Sequence, residues 1–134
     1  MDDFSYPGLV NSFGVRPSEA NMVAPGRRPL SSMSPSVVTD QQGRVVAVAG
    51  ASGGTEIITA TAQVLYRVLY LGQVGPAQAV CTMRLLLAVQ TVKEAVDAAR
   101  LHHQLLPMRL QYEAGTTRWL VNGLAGFGHK GDMK

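Results

Sequence analysis

Ser31-Ser32-Met33-Ser34-Pro35-Ser36-Val37-Val38-Thr39-Asp40-Gln41-Gln42-Gly43-Arg44-Val45-Val46-Ala47-Val48-Ala49-Gly50-Ala51-Ser52-Gly53-Gly54-Thr55 is the stretch on which the fold turns. Two valine-rich runs, residues 36–39 and 44–49, flank Asp40-Gln41-Gln42-Gly43. That tetrad supplies a hairpin turn with a glycine able to take positive φ. The second run is continuously apolar from Val45 to Ala49, the pattern of a strand covered on both faces. Gly50 ends it, and Gly53-Gly54 opens a helical pattern. From residue 55 to about 70, Ile57, Ile58, Thr61, Val64, Leu65, Val68 and Leu69 fall on one stripe, so this helix is expected to pack on the sheet. Glu56 in its first turn complements the positive helix end.

Upstream, Pro7, Gly8, Gly14, Pro17, Pro25, Gly26 and Pro29 punctuate residues 1–33. The spacing forbids a regular helix and predicts extended segments joined by turns. Such a length of irregular backbone is expected to line a surface completed by another chain segment. Downstream, Val92, Ala95, Val96 and Ala99 mark a helix from residue 92 to about 101. Residues 108–113 read as a strand, Ala114-Gly115 as a turn, and residues 116–127 as a helix ending near Gly128. The order predicts an α+β class, part of a layered sandwich in one domain without internal repeats.

Apolar residues make up 46% of the 134 and charged residues 16%, the balance of a globular chain. The net charge of +3 comes from scattered Lys and Arg; Arg27-Arg28 is the only adjacent pair, so nucleic acid is not an expected partner. Cys81 is the only cysteine, which rules out an internal disulfide and a cysteine-based metal cluster. His102-His103 have no third ligand at a metal-binding spacing. Asp2 and Asp3 follow Met1 with no apolar run behind them, so no signal peptide is read. No apolar run is long enough to span a bilayer.

Three groups carry candidate chemistry. Gly53-Gly54 at a helix start exposes bare backbone N–H groups that, with the helix dipole, suit a developing oxyanion. An ordinary strand-to-helix turn uses the same pair. Ser31 and Ser32 offer hydroxyl donors for a carboxylate, and Asp3 offers an acceptor for an ammonium group. Asp2 is read as solvated or as capping a turn.

In order and spacing these groups are similar to the small-subunit region of γ-glutamyltransferases, also called glutathione hydrolases. The resemblance rests on Met1-Asp2-Asp3-Phe4-Ser5, Pro7-Gly8, Asn11-Ser12-Phe13-Gly14 and Pro25-Gly26. It continues through Arg28-Pro29-Leu30-Ser31-Ser32-Met33, Gly50 through Thr55, and Arg100-Leu101-His102-His103-Gln104-Leu105-Leu106-Pro107. It implies the αββα sandwich of N-terminal-nucleophile hydrolases, here incomplete. It implies that Asp3 holds the α-amino group of a γ-glutamyl substrate, that Ser31 and Ser32 bind its α-carboxylate, and that Gly53 and Gly54 form the oxyanion hole. The implied reaction is attack by an N-terminal threonine on the γ-glutamyl amide of glutathione or a conjugate, then release of the acyl group to water or an amine. No metal or cofactor is implied. The implied location is the extracellular side of the plasma membrane.

The sequence departs from the family pattern in three places. No Thr-x-His motif occurs in residues 1–134, so the chain alone is expected to be inactive. Residues 74–90, with Cys81 and Leu85-Leu86-Leu87, read as an insertion between Gly72-Gln73 and Thr91. The resemblance fades after Met108, and unpaired sheet edges are expected there. Two other readings stand beside the first: a non-catalytic fragment that docks with a γ-glutamyltransferase large subunit, and an enzyme of this fold acting on another amide, such as a cephalosporin acylase. Ser31-Ser32 with Asp3 favours a γ-glutamyl group over the last.

Overall fold

The computed structural model describes residues 4–71 and 91–134. Asp3 and the whole of residues 74–90, Cys81 included, lie outside the described residues.

The hairpin forms as read. Strand β1 (Ser36–Thr39) pairs antiparallel with β2 (Val45–Ala49), Val37 opposite Val48 and Val38 opposite Ala47. Asp40 builds the turn: its Oδ1 accepts from the backbone N–H groups of Gln42 and Arg44, each at 2.9 Å, and its Oδ2 from Arg44 Nε at 2.7 Å. Those bonds, led by the one from the Arg44 N–H, hold its carboxyl below the usual range. Gly43 sits at φ 79°, as the turn demands.

The expectation that β2 is covered on both faces is corrected. Val45, Val46 and Val48 are all exposed, Val48 by 73%. The sheet they belong to has two strands, and only the face carrying Ser36, Val38, Ala47 and Ala49 is half-buried.

Helix α1 (Glu56–Tyr66) runs on through a π-helical turn, Arg67–Leu71. Ile57 and Thr61 are buried and Val64, Leu65 and Val68 half-buried, so most of the predicted stripe points inward, while Ile58 is exposed. Arg67 is buried instead. Its guanidinium donates to the carbonyls of Ala95 (3.3 Å), Ala98 (3.1 Å) and Ala99 (2.6 Å).

That guanidinium corrects the second helix. Helix α2 (Val92–Asp97) starts at a capping box, Thr91 with Glu94, but stops well before residue 101. Ala98 is extended at φ −66°, ψ 137°, and the carbonyls that would continue the helix are spent on Arg67. Ala95 is fully buried, whereas Val92 and Val96 of the expected apolar face are exposed. The chain then enters strand β3 (Leu101–His102), antiparallel to β4 (Leu110–Tyr112). Helix α3 (Arg118–Gly126) leads to a strand not expected from sequence, β5 (Gly131–Met133), which runs parallel to β4. One edge expected to be open is thus filled: Leu110 N–H donates to Lys130 O at 2.7 Å and Lys134 N–H to Tyr112 O at 2.9 Å.

Candidate functional site

Asparagine side chains organise the irregular stretch that precedes the hairpin. Asn11 Oδ1 accepts from the N–H groups of Phe13 and Val15 at 3.0 Å, and its Nδ2 donates to Phe4 O at 3.0 Å. Buried Ser5 Oγ accepts from Ser18 N–H and Asn21 Nδ2 at 3.2 and 3.1 Å. Asn21 Oδ1 in turn accepts from Leu30 N–H at 3.1 Å. Polar side chains here do for the backbone what a sheet ladder does elsewhere. They also fix the approach to Ser31, one residue past Leu30.

Ser31 is exposed, and its Oγ accepts from Met33 N–H at 3.1 Å, which leaves the hydroxyl proton for another partner. Ser32 is half-buried and its carbonyl accepts from Ser34 Oγ at 3.3 Å.

Gly53 and Gly54 stand at φ 136° and 60°, in the region that L side chains rarely adopt. Their carbonyls accept from Glu56 and Ile57 N–H at 3.2 and 3.3 Å. Among the described residues their own N–H groups donate to nothing. Two uncommitted donors therefore sit at the positive end of α1.

Ser31, Ser32 and Thr55 line one cavity of about 350 Å³, together with Arg16, His102 and His103. Most of its lining surface is apolar, and Arg16 is the one Asp, Glu, Lys or Arg among its described lining residues. The structure thus brings the serine pair and the residue after Gly54 to one space. The two glycines are not themselves in the lining, and Asp3 lies outside the described residues. A second cavity, about 330 Å³, lies against Phe13, Glu56 and Arg109, with Asn11, Thr55, His102 and Gln104 common to both.

Four residues at this place were not singled out as site residues by the sequence: Arg16, Thr55, His102 and Gln104. Thr55 Oγ1 donates to Gln104 Oε1 at 2.7 Å; His102 Nε2 lies 3.0 Å from the same oxygen and Nδ1 2.9 Å from Thr59 Oγ1. For His102 and Gln104 the signal available was the Arg100-to-Pro107 block, one of the motifs that carry the family resemblance. Within the described residues no group of three metal-ligating side chains occurs, and no helix is long and apolar enough to cross a membrane.

Comparison with known proteins identifies the frame. The family model Gamma-glutamyltranspeptidase matches residues 1–134. Scoloptoxin SSD14 and Scoloptoxin SSD20 of Scolopendra dehaani are 42% and 41% identical to this chain over 130 residues, 97% of it. The chain spans 20% of the first and 57% of the second. The glutathione hydrolase proenzyme of Escherichia coli (strain K12) is 36% identical over 135 residues, and the chain spans 20% of it. Among solved structures, a mutant gamma-glutamyltranspeptidase of Helicobacter pylori superposes with a TM-score of 0.74 at 33% identity, covering 100% of this chain and 63% of that one. The Pseudomonas nitroreducens enzyme complexed with L-DON gives 0.70 at 38% identity, covering 99% and 62%. With the whole sequence matched by one family and the backbone superposing on its solved members, this chain belongs to the gamma-glutamyltranspeptidase family and shares part of its N-terminal-nucleophile hydrolase fold.

Proposed function

We propose that residues 1–134 bind a γ-glutamyl group and supply oxyanion stabilisation for cleavage or transfer of γ-glutamyl amides such as glutathione. Ser31 and Ser32 take the α-carboxylate, Asp3 takes the α-ammonium, and the N–H groups of Gly53 and Gly54 receive the carbonyl oxygen. When a nucleophile adds to the amide carbon, charge moves onto that oxygen. Two donors already aimed from a helix end stabilise it without reorganisation. Collapse expels the amine, and water or an acceptor amine releases the γ-glutamyl group. No metal or cofactor takes part. The supporting observation is the cavity that joins Ser31 and Ser32 to Thr55, with Arg16 in its lining.

Residues 1–134 contain no Thr-x-His sequence, so this stretch by itself binds and does not turn over. The test is direct. Glutathione titrated into the chain should give binding that Ser31→Ala and Ser32→Ala each weaken, and γ-glutamyl-p-nitroanilide should release no p-nitroaniline above the buffer rate. Turnover by the purified chain would overturn the inactive part of this reading, and binding indifferent to both serines would overturn the rest.

A second role has its own support. The exposed valines of β2 suit docking against a γ-glutamyltransferase large subunit, since unshielded apolar strands are interaction surfaces. Copurification with such a subunit, lost on Val46→Lys, is the expected result. The same proposal extends to location, the extracellular side of the plasma membrane, which protease accessibility on intact cells tests.

A further inference from the structure

His102, His103 and Gln104 of the Arg100-to-Pro107 block line the cavity with Ser31 and Ser32 but have no assigned chemistry in the proposal above, and Gln104 makes a dense set of polar contacts there. Its Nε2 donates to Phe13 O at 2.6 Å and to Leu106 O at 2.7 Å. Two carbonyls at one end decide which end of the amide is nitrogen. The other end, Oε1, accepts from Thr55 Oγ1 at 2.7 Å and faces His102 Nε2 at 3.0 Å. An amide oxygen only accepts, so His102 carries a proton on Nε2; in the neutral ring Nδ1, 2.9 Å from Thr59 Oγ1, then shares the single Thr59 hydroxyl proton with Glu56 O at 3.1 Å.

One side chain therefore ties together two neighbours of the glycine pair. Thr55 directly follows Gly54. Phe13 supplies the ring that lies on Gly54, where a Cβ would meet its Cε1 at 2.5 Å. Donors that stabilise charge in a transition state work only if held in place beforehand, and that holding is done by the shell behind them.

We infer that Gln104 is a positioning residue for the Gly53-Gly54 loop: it clamps Phe13 and Thr55 on either side of Gly54 and holds His102 as the Nε2-protonated tautomer. Its bearing on catalysis rests on the oxyanion role proposed for the glycines. The clamp and the tautomer do not.

Proton–nitrogen correlation spectra of the isotope-labelled full chain test it, recorded at about pH 8, where histidine is ordinarily neutral. Without ligand, His102 should show a protonated Nε2 and a bare Nδ1. In Gln104→Ala that preference is lost, and the Gly54 amide shifts and exchanges faster with solvent. Thr55→Val removes only the hydroxyl link, so it should move Gly54 and leave His102 unchanged. Gln104→Glu keeps acceptors for Thr55 and His102 but loses both donors, so Gly54 should move as Phe13 is released.

A folded Gln104→Ala chain with an unchanged His102 tautomer and Gly54 amide overturns the inference. If Gln104→Ala does not fold, a Thr55→Val chain with an unmoved Gly54 amide does so equally. A wild-type titration in which glutathione leaves the Ser31, Ser32 and Gly54 signals unmoved defeats the γ-glutamyl reading instead, and the ligand-free spectra still decide the clamp.

Discussion

Phe13 lies flat enough on Gly54 that a Cβ at the glycine would stand 2.5 Å from the ring's Cε1 and 2.9 Å from its Cζ. The ring has little room to retreat, since it stacks on Phe4 at a centroid distance of 5.5 Å and 22° between planes. Gly54 is thus required twice, for its φ of 60° and for its missing side chain. The first requirement is local to the turn, the second is imposed by a segment far upstream.

These two requirements separate in a double-mutant cycle. Gly54→Ala should cost about 1–2 kcal/mol from the left-handed backbone alone, plus the displacement of Phe13. In a Phe13→Ala background only the backbone cost should remain. Urea unfolding of the four chains should therefore show a coupling above the roughly 0.5 kcal/mol scatter of independent sites. Additive losses would mean that the ring moves aside freely.

Arg67 explains where α2 stops, and its removal should show it. The guanidinium, buried among the carbonyls of Ala95, Ala98 and Ala99, is held below its ordinary pKa, first by desolvation and then by Arg100. Arg67→Met should destabilise the chain by about 3 kcal/mol, because buried carbonyls lose a charged donor. Arg67→Lys should recover only part, as a point donor cannot span three acceptors. Equal stability of the Met variant, measured by urea unfolding, would mean that those carbonyls find other partners.

This contact also shows why some of the fold was legible and some was not. The β1–β2 hairpin and the start of α1 follow from signals a few residues apart: valine runs, Asp40 and Gly43 in the turn, a glycine pair before an apolar stripe. The end of α2 depends on Arg67, distant in sequence, and no periodicity reveals which carbonyls it will claim. Strand β3 has two residues and β5 has three, too short for an alternating pattern, and both exist because β4 lies between them. Among the candidate site residues, Ser31, Ser32 and the glycine pair stand out by residue type. Gln104 does not, because an amide gains its meaning from the segments that meet it.

Acid should loosen the chain at one identifiable pair. Arg100 Nε and Nη2 donate to Glu113 Oε1 at 3.1 and 3.0 Å, and Arg100 N–H donates to Glu113 Oε2 at 3.1 Å. Desolvation raises the Glu113 pKa, but the bonds from Arg100 outweigh it and the carboxyl ends below its usual 4.5. The folded state therefore holds this proton less tightly than the unfolded state. Its contribution is complete above about pH 4.5 and fades as pH falls through the lower folded-state value. Glu113→Gln should be less stable than wild type near neutrality and converge with it in acid. Because the pair is partly exposed, salt should shrink the difference. Urea midpoints measured against pH at two salt concentrations check both statements, and parallel curves would remove Glu113 as the source.

Arg16 provides the corresponding test of the cavity's charge. It lines the space shared by Ser31, Ser32 and Thr55 and is exposed, so the attraction expected for the proposed carboxylate is screened by solvent. An exposed ion pair contributes about 0.2–1 kcal/mol, which corresponds to a rise in glutathione Kd of roughly 1.5- to 5-fold in Arg16→Gln. The loss should be largest at low ionic strength and disappear as salt screens the cavity. Arg27→Gln is the control: Arg27 donates to Glu19 O at 2.9 Å, is absent from the described cavity lining, and should leave the Kd unchanged. Equal effects from the two variants would assign the attraction to the chain's net positive charge. A selective, salt-sensitive loss in Arg16→Gln locates it at the wall that Arg16 shares with Ser31 and Ser32.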